Sequence, residues 1–257
     1  MSAVARARGV VLRYDGTEAV SASDFEIPEG AITAVIGPNG SGKSTVLNAL
    51  TGLVEPSAGE LTVLGASPRE ARPRISYVLQ SPRIPVGAPI TVREAVCLGR
   101  YPSVGLLRRL GSHDRRQVHQ AMHRLHIAGL AHRHLTELSG GQRQRVLVAQ
   151  GIVQDHDVLL LDEPLTGLDL VSARTIDGII HGERDSGRAV VLTTHDLDEA
   201  LAADHVLLMS GRVVASGSPA SVLTRRNLEE AYGLGALHDW HGFVDDPAHP
   251  LPGDPTA

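Results

Sequence analysis

Short apolar segments alternate with segments of helical periodicity along most of the chain. The apolar and alternating patterns predict strands at Val10–Tyr14, Val20–Ile27, Ala31–Ile36, Val158–Leu161 and Ala189–Thr193, and a further strand pair at Glu60–Leu64 and Ile75–Leu79. Helical spacing predicts helices at Lys43–Leu53, Val92–Arg100, Asp114–His126, Gln142–Gln154 and Val171–Ser186. Because strands and helices alternate, the pattern indicates an α/β fold with a mostly parallel sheet.

The predicted elements divide the chain into parts of different character. The first two strands, joined by an Asp15–Gly16 turn, are expected to form an N-terminal antiparallel β subdomain. Pro and Gly dominate from Ser81 to Pro89, and the predicted elements that follow are helices. We therefore expect a helical subdomain, about residues 81–154, inserted in a main domain of residues 1–235. Residues 236–257 are rich in Pro, Asp and His and predict a loose tail.

The composition restricts the classes to which the protein can belong. A formal net charge of -5 over 257 residues argues against a nucleic-acid partner. No apolar run approaches the roughly 18–20 residues that span a bilayer, and the N-terminus lacks a signal-peptide pattern. Cys97 is the single cysteine, so no internal disulfide can form. We therefore expect a cytoplasmic protein that reaches a membrane only through partner proteins.

A glycine-rich motif lies between the third predicted strand and the first predicted helix. It consists of Gly37, Pro38, Asn39, Gly40, Ser41, Gly42, Lys43, Ser44 and Thr45. Glycines let backbone N–H groups close around a phosphate, and the helix N-terminus adds a partial positive charge. This is the P-loop pattern, which assigns Lys43 to the β- and γ-phosphates of ATP and the Ser44 hydroxyl to Mg²⁺.

Two adjacent carboxylates follow the most apolar predicted strand. Asp162 is expected to hold Mg²⁺, directly or through water, and Glu163 to act as general base on the attacking water. Alone, such a pair is equally consistent with an acidic surface turn. Together with the P-loop it indicates an ATPase.

A second motif of phosphate-binding type opens a later helix. After Leu138 it consists of Ser139, Gly140, Gly141 and Gln142. In isolation this motif is better explained as an ordinary helix cap. A single nucleotide does not need two such sites from one chain, so the economical arrangement has Ser139 of one subunit facing the nucleotide held by Lys43 of another.

These motifs, in this order, resemble those of the ABC-type ATPases along nearly the whole chain. Tyr14 lies where the family stacks an aromatic ring on adenine, and Gln80 matches the Q-loop glutamine that contacts Mg²⁺ and the attacking water. Leu138–Gln142 resembles the signature motif. Gly167–Asp169 resembles the D-loop, with Gly where many relatives carry other small residues. His195 matches the switch histidine that contacts the γ-phosphate.

The resemblance implies a fold, cofactors and partners. The fold is a P-loop NTPase core with an N-terminal antiparallel β subdomain and an inserted helical subdomain, and the cofactors are ATP and Mg²⁺. Two identical or similar subunits are expected to clamp two ATP molecules head to tail. Integral membrane permease subunits would hold the dimer at the cytoplasmic side of the cell membrane, with Gln80–Pro89 transmitting the motion to them.

Several segments resemble importers of zinc, manganese and iron in particular, namely Thr91–Val96, Leu98–Tyr101, Gly105–Leu110, Gly211–Gly217 and Asn227–Gly233. Our leading hypothesis is therefore import of zinc or manganese, with an extracytoplasmic metal-binding protein as indirect partner. Import of iron–siderophore, haem or cobalamin, and a non-transporting adaptor ATPase, remain alternatives. A DNA-repair ATPase of the superfamily is disfavoured because the chain has no long heptad segment.

Thirteen histidines raise the question of metal binding by the chain itself. His119, His123 and His126 fall at helical spacing, but no Cys or carboxylate completes a zinc shell, so we interpret them as a solvated helix face. His238, His241 and His249 leave a loose zinc site in the tail as an alternative.

Overall fold

The computed structural model describes residues 2–14, 16–80, 90–105 and 108–233. The predicted Pro- and Gly-rich segment Ser81–Pro89 and the tail with its three histidines lie outside the described residues. Within those ranges, no helix is both long and apolar enough to cross a bilayer.

A three-stranded antiparallel sheet forms the N-terminal layer. It contains β1 (Ala3–Tyr14), β2 (Thr17–Pro28) and β4 (Pro56–Val63), in the order β2-β1-β4. Both N-terminal strands begin earlier than the apolar pattern indicated, because their first residues pair with neighbouring strands. The antiparallel β subdomain predicted from the sequence is confirmed.

The central sheet of the described chain has six strands in the order β5-β6-β7-β3-β8-β9. The strands are β3 (Ile32–Ile36), β5 (Ile75–Val78), β6 (Val158–Leu161), β7 (Ala189–Thr194), β8 (His205–Met209) and β9 (Val213–Gly217). The first five in spatial order pair in parallel, and β9 returns antiparallel to β8. Every residue of β3, β6 and β7 is buried, as expected for central parallel strands covered on both faces. The α/β fold is therefore confirmed.

The helices are α1 (Lys43–Leu50), α2 (Pro68–Ala71), α3 (Val92–Leu98), α4 (Tyr101–Val104), α5 (Ser112–Arg124), α6 (Gly140–Ile152), α7 (Leu170–Asp185), α8 (Leu197–Leu201), α9 (Pro219–Val222) and α10 (Arg225–Tyr232). They cover the two faces of the central sheet unequally. Val35, Leu160 and Val191 face a core shared with α1 and the antiparallel sheet. Their neighbours Ala34 and Leu159 face a core shared with α3, α5, α6 and α7. Alternation along each strand thus fixes which helices lie on which side.

The predicted strand pair at Glu60–Leu64 and Ile75–Leu79 is wrong. Both segments contain strands, but the first joins β1 in the antiparallel sheet and the second joins β6 in the central sheet. The first helix also ends at Leu50 rather than Leu53. Gly52 follows in a left-handed conformation (φ 67°), and a Cβ there would lie 2.9 Å from the backbone N of Arg69. The helix therefore ends at a left-handed glycine that packs closely against α2.

Arg100 anchors the helices of the insertion to the core. Its side chain is 5% exposed and contacts the carboxylates of Asp114 at 3.0 Å and Asp155 at 2.9 Å. It also donates a 2.6 Å hydrogen bond to the carbonyl oxygen of Val153. A buried guanidinium is tolerated only when its donors are satisfied, and here the acceptors come from α5, the end of α6 and the loop before β6.

Glu183 provides a second buried anchor on α7. Its side chain is 1% exposed and contacts Arg124 of α5 at 3.0 Å, Arg188 at 2.5 Å and the ring of His156 at 3.4 Å. Burial alone would raise the pKa of Glu183, but the interactions with His156 and the two arginines prevail and lower it to about 2. The carboxylate therefore stays charged and ties the end of α5 to the sheet core.

Candidate nucleotide-binding site

The glycine-rich loop connects the end of β3 to the start of α1 in a shape that only glycine permits at key positions. Gly40 and Gly42 have φ angles of 79° and 97°. A Cβ on Gly37 would lie 2.2 Å from the carbonyl oxygen of Met209, and one on Gly42 would lie 2.6 Å from a methyl carbon of Val20. The loop is therefore pressed against β8 and β2, with Asn39 and Gly40 exposed at its tip.

Lys43 closes the loop from within. Its Nζ donates hydrogen bonds to the carbonyl oxygens of Gly37 at 2.8 Å and Pro38 at 3.1 Å. Burial lowers the pKa of Lys43 below its usual value, although the charges of Glu163 and Asp162 oppose this shift. An ammonium group held inside a loop of backbone N–H groups is suited to bind a polyanion, and the two carboxylates favour its charged form.

Asp162, at the end of β6, lies where three elements converge. Its Oδ1 accepts a 2.6 Å hydrogen bond from Thr193 of β7 and a 3.2 Å hydrogen bond from Ser44 of α1. Thr193 was not singled out in the sequence, because a threonine ending an apolar strand carries no signal of its own. Tyr77 on β5 was also missed, and burial together with the neighbouring Asp162 raises the pKa of its phenol.

Glu163 adopts a left-handed backbone conformation, with φ 47°. Such a conformation is strained for a residue with a Cβ; it costs about 1–3 kcal/mol and persists only where the surroundings hold it. Here the backbone N–H of Glu163 donates to Thr193 Oγ1 at 2.8 Å, and Gln80 Nε2 donates to Glu163 Oε2 at 2.8 Å. Gln80, after the end of β5, thus holds this carboxylate.

Ser139 caps α6. Its Oγ accepts the backbone N–H of Gln142 at 3.2 Å, while the Gln142 side chain accepts the backbone N–H of Ser139 at 3.1 Å. This reciprocal arrangement fixes the start of the helix and leaves its positive end pointing outwards. Among the described residues, no hydrogen bond joins Ser139 or Gln142 to the P-loop.

The other members of the site set predicted from the sequence are distributed around this centre. Tyr14, at the end of β1, is 60% exposed, and His195, directly after β7, is also exposed. Ser41 is buried and Thr45 is half-buried beside Ser44. The structure therefore brings together Gln80, Lys43, Ser44, Asp162 and Glu163, whereas the Ser139 motif forms a separate group.

The separate group includes the start of α7. Asp169 caps this helix by accepting the N–H and the hydroxyl of Ser172, at 2.9 and 2.8 Å. A Cβ on Gly141 would lie 2.5 Å from Ser172 Oγ and 2.6 Å from Asp169 Oδ2. Close approach of α6 to the α7 cap thus requires glycine at this position. Gly140 has no heavy atom within 4 Å of such a Cβ.

We predict that Gly141→Ala destabilises the protein while Gly140→Ala does not. The methyl group at 141 must displace the Asp169–Ser172 cap, whose loss costs about 1 kcal/mol. Chemical unfolding of the two variants measures the difference in their free energies of unfolding. Gly140→Ala is the control for the general effect of alanine on the helix. Equal stability of both variants would show that the α6–α7 contact does not constrain position 141.

Comparisons with known proteins place the chain in a family. Residues 20–166 match the family model of the ABC transporter. The zinc transport system ATP-binding protein TroB of Treponema pallidum is 37% identical over 211 residues, covering 82% of this chain and 79% of that protein. The manganese transport system ATP-binding protein MntB of Bacillus subtilis is 33% identical, covering 87% of this chain and 90% of that protein.

Solved structures show the same fold. A chain described as belonging to a metal-chelate type ABC transporter in an inward-facing conformation superposes with a TM-score of 0.78 at 30% identity, covering 90% of this chain and 89% of that one. A nucleotide-free ATP-binding cassette superposes with a TM-score of 0.73 at 22% identity, covering 90% and 95%. The chain therefore belongs to the ABC transporter family and is an ATPase of that family.

Proposed function

We propose that the chain hydrolyses Mg-ATP to power an importer of zinc or manganese. The ATPase activity in this proposal rests on the hydrogen bonds that join Ser44 and Thr193 to Asp162 beside the P-loop. Gln80 holds the adjacent Glu163 carboxylate. The metal half is supported by the zinc and manganese transport relatives, which are 37% and 33% identical over most of the chain.

The P-loop, from Gly37 to Thr45, would bind the phosphates through its backbone N–H groups. Lys43 would exchange its two loop carbonyls for oxygens of the β- and γ-phosphates, which carry full charge and are stronger acceptors. Tyr14, exposed at the end of β1, would stack on the adenine. In the P-loop part of the site, ATP binding would therefore need only a side-chain movement of Lys43.

Oxygen donors suited to Mg²⁺ lie beside the P-loop, where the Ser44 hydroxyl is 3.2 Å from the Asp162 carboxylate. They are the Ser44 hydroxyl, the Asp162 carboxylate and the side-chain carbonyl of Gln80, a hard-ligand set of the kind that magnesium prefers. Because Gln80 directs its amide nitrogen to Glu163, we assign its oxygen to the metal. When bound, Mg²⁺ would neutralise negative charge that develops during phosphoryl transfer.

Glu163 is the residue we assign as general base. Its carboxylate accepts from Gln80, whereas that of Asp162 accepts from Ser44 and Thr193, so one of the pair can hold the metal while the other takes a proton from water. Gln80 orients this carboxylate and would also contact the attacking water. His195, exposed after β7, would contact the γ-phosphate.

The Ser139–Gln142 group would complete the site of a second, identical or similar subunit. Its capped helix end is exposed at Ser139 and Gly140 and carries partial positive charge. Leu170 and Val171, next to Asp169, are 64% and 67% exposed, which is unusual for aliphatic side chains and suits a protein interface. Bound ATP would then hold two subunits together, and hydrolysis would release them.

A groove between β5 and the helical insertion is the surface we assign to a membrane permease. It has a volume of about 290 Å³ and is lined in part by Leu79, Leu98, Gly99, Pro102 and Leu147. Leu79 and Leu98 are about half exposed. The groove begins at Leu79, next to Gln80, so a permease helix bound there would be coupled to the nucleotide site. The same contact would hold the ATPase at the cytoplasmic face of the membrane. An extracytoplasmic metal-binding protein would deliver the cargo.

Import of a metal chelate is a second candidate function. It is favoured by the 30% identical chain of the metal-chelate type transporter, which matches this fold with a TM-score of 0.78. The cargo does not meet this subunit in either case, so the ATPase site has the same form for both. Uptake measurements distinguish the two candidates.

We predict opposite defects for two substitutions in the ATP site. Lys43→Ala should weaken ATP binding by about tenfold or more, because it removes the cation beside the phosphates. Glu163→Gln should bind ATP normally but lose about 10²–10⁴-fold in turnover, the usual contribution of a general base. Nucleotide titration and steady-state hydrolysis measure the two effects. Hydrolysis by Glu163→Gln near the wild-type rate would refute the base assignment.

The permease groove generates a separate prediction. Leu98→Asp places a charge in the groove and should reduce co-purification with the permease encoded by neighbouring genes. Leu53→Asp, at a leucine that is 61% exposed and not part of the groove, is the control and should leave assembly intact. ATP binding by both isolated variants should remain normal. Full assembly of Leu98→Asp would exclude the groove as the docking surface.

Cells that lack the gene should lose uptake of zinc or manganese ions and recover it with the wild-type gene. Glu163→Gln should fail to restore uptake, since the dimer could bind ATP but not reset. Isotope uptake of each free ion and of an iron–siderophore complex measures the cargo. Restoration of chelate uptake alone would select the second candidate, and no change for any solute would indicate an adaptor.

A further inference from the structure

Two histidines meet on the exposed side of α5, away from the nucleotide site. The Nε2 atoms of His119 and His123 lie 3.1 Å apart, and the rings have centroids 4.3 Å apart and planes at 51°. Their spacing of four residues places them on the same side of the helix, one turn apart. The other side of α5 buries Val118, Ala121 and Met122.

The helix that carries the pair is fixed at both ends. Near its N-terminus Asp114 pairs with the buried Arg100. Beyond its C-terminus Arg145 of α6 donates to the carbonyl oxygen of Leu125 at 3.3 Å. The two imidazoles are therefore presented by a backbone that neighbouring elements hold in place, which is the condition for a defined ligand geometry.

The distance between the two nitrogens agrees with chelation. A metal–nitrogen bond length of about 2.0–2.1 Å and a nitrogen separation of 3.1 Å together give a nitrogen–metal–nitrogen angle of about 100°. That angle lies between the octahedral and tetrahedral values. Without an ion, one imidazole can donate to the other, but such an exposed hydrogen bond contributes little because water competes for both groups.

We propose that His119 and His123 form a two-histidine site for a divalent transition-metal ion of the Zn²⁺, Ni²⁺ and Cu²⁺ class. Imidazole nitrogen suits these ions, whereas Mn²⁺ and Mg²⁺ prefer oxygen ligands. Water completes the coordination, since no group of three or more His, Cys, Asp or Glu side chains in the described residues is arranged to hold a metal.

His126, the third histidine of the predicted helix face, does not join the pair. The helix ends at Arg124, and His126 has a left-handed backbone (φ 53°) that departs from helical spacing. The expectation that all three histidines share a face is therefore wrong. We also revise the interpretation of His119 and His123 as only a solvated helix face. Their spacing predicted that they share a face, but it could not show how closely the two side chains approach each other.

The charges around the pair determine what kind of site it is. Arg115 and Arg116 are exposed on the preceding turn of α5, so the local potential is positive and weakens binding of a dication. Binding is therefore reversible and responds to the free ion concentration. An ion bound by residues four apart stabilises one turn of α5. Asp114 of the same helix pairs with Arg100, which is next to Gly99 in the lining of the permease groove.

Zinc titration of the full chain, without nucleotide, tests the site. Calorimetry with ZnCl₂ should show a binding event in the wild type that His123→Ala weakens by about tenfold or more. Zn²⁺ should raise the melting temperature of the wild type and do so less for the variant. MnCl₂ should produce neither effect in either protein. Both histidines are exposed, so the metal-free melting temperatures should agree.

A rearranged variant separates the pair from the other histidines of the chain. Gln120→His combined with His123→Gln keeps the number of histidines but places the two side by side, about 100° apart around the helix. In calorimetry, this rearranged variant should show the same weakening of Zn²⁺ binding as His123→Ala. Zinc isotherms that are identical in the wild type and both variants would overturn the proposal. Wild-type binding by the rearranged variant would also overturn it, because histidine content rather than geometry would then be responsible.

Discussion

The hydrogen bonds that meet at Asp162 are the constraint on which the rest of the site depends. Its Oδ1 accepts from Thr193 on β7 and Ser44 on α1, so one carboxylate joins β6, β7 and the P-loop helix. This junction exists because β6, β7 and β3 run in parallel and end at the same edge of the sheet. Parallel strands bring residues more than a hundred positions apart to one point, where magnesium and phosphate would meet.

The same junction makes the strained turn at Glu163 sustainable. Thr193 uses its hydroxyl twice, donating to Asp162 and accepting the backbone N–H of Glu163. The left-handed residue is therefore held by the neighbouring strand rather than by its own sequence. Gln80, after the end of β5, donates its side-chain N–H to the Glu163 carboxylate. The Glu163 carboxylate is thus held from β5 and its backbone from β7.

Local patterns in the sequence predicted what local physics determines. The P-loop glycines, the buried strands at Val158–Leu161 and Ala189–Thr194 and the Ser139 cap all depend on neighbouring residues, and the structure has them in place. Pairing is different, because strand order depends on distant segments. The strands predicted at Glu60 and Ile75 therefore belong to different sheets, which the sequence did not indicate. The sequence also did not indicate that Thr193 hydrogen-bonds to Asp162 and Glu163. The start of α5 was missed since Gly111, a cap without a side chain, gives no signal.

The two glycines after Ser139 show how one motif serves two purposes. Gly141 must lack a side chain because α6 lies against the Asp169 cap of α7, which is a requirement of packing within the chain. Gly140 faces open space, so packing within the chain does not explain it. Ser139 already takes the N–H of Gln142, which leaves the N–H groups of the two glycines to meet an anion. We infer that the open side at Gly140 is where a phosphate held by another subunit approaches, and that an added methyl group there would obstruct that contact alone.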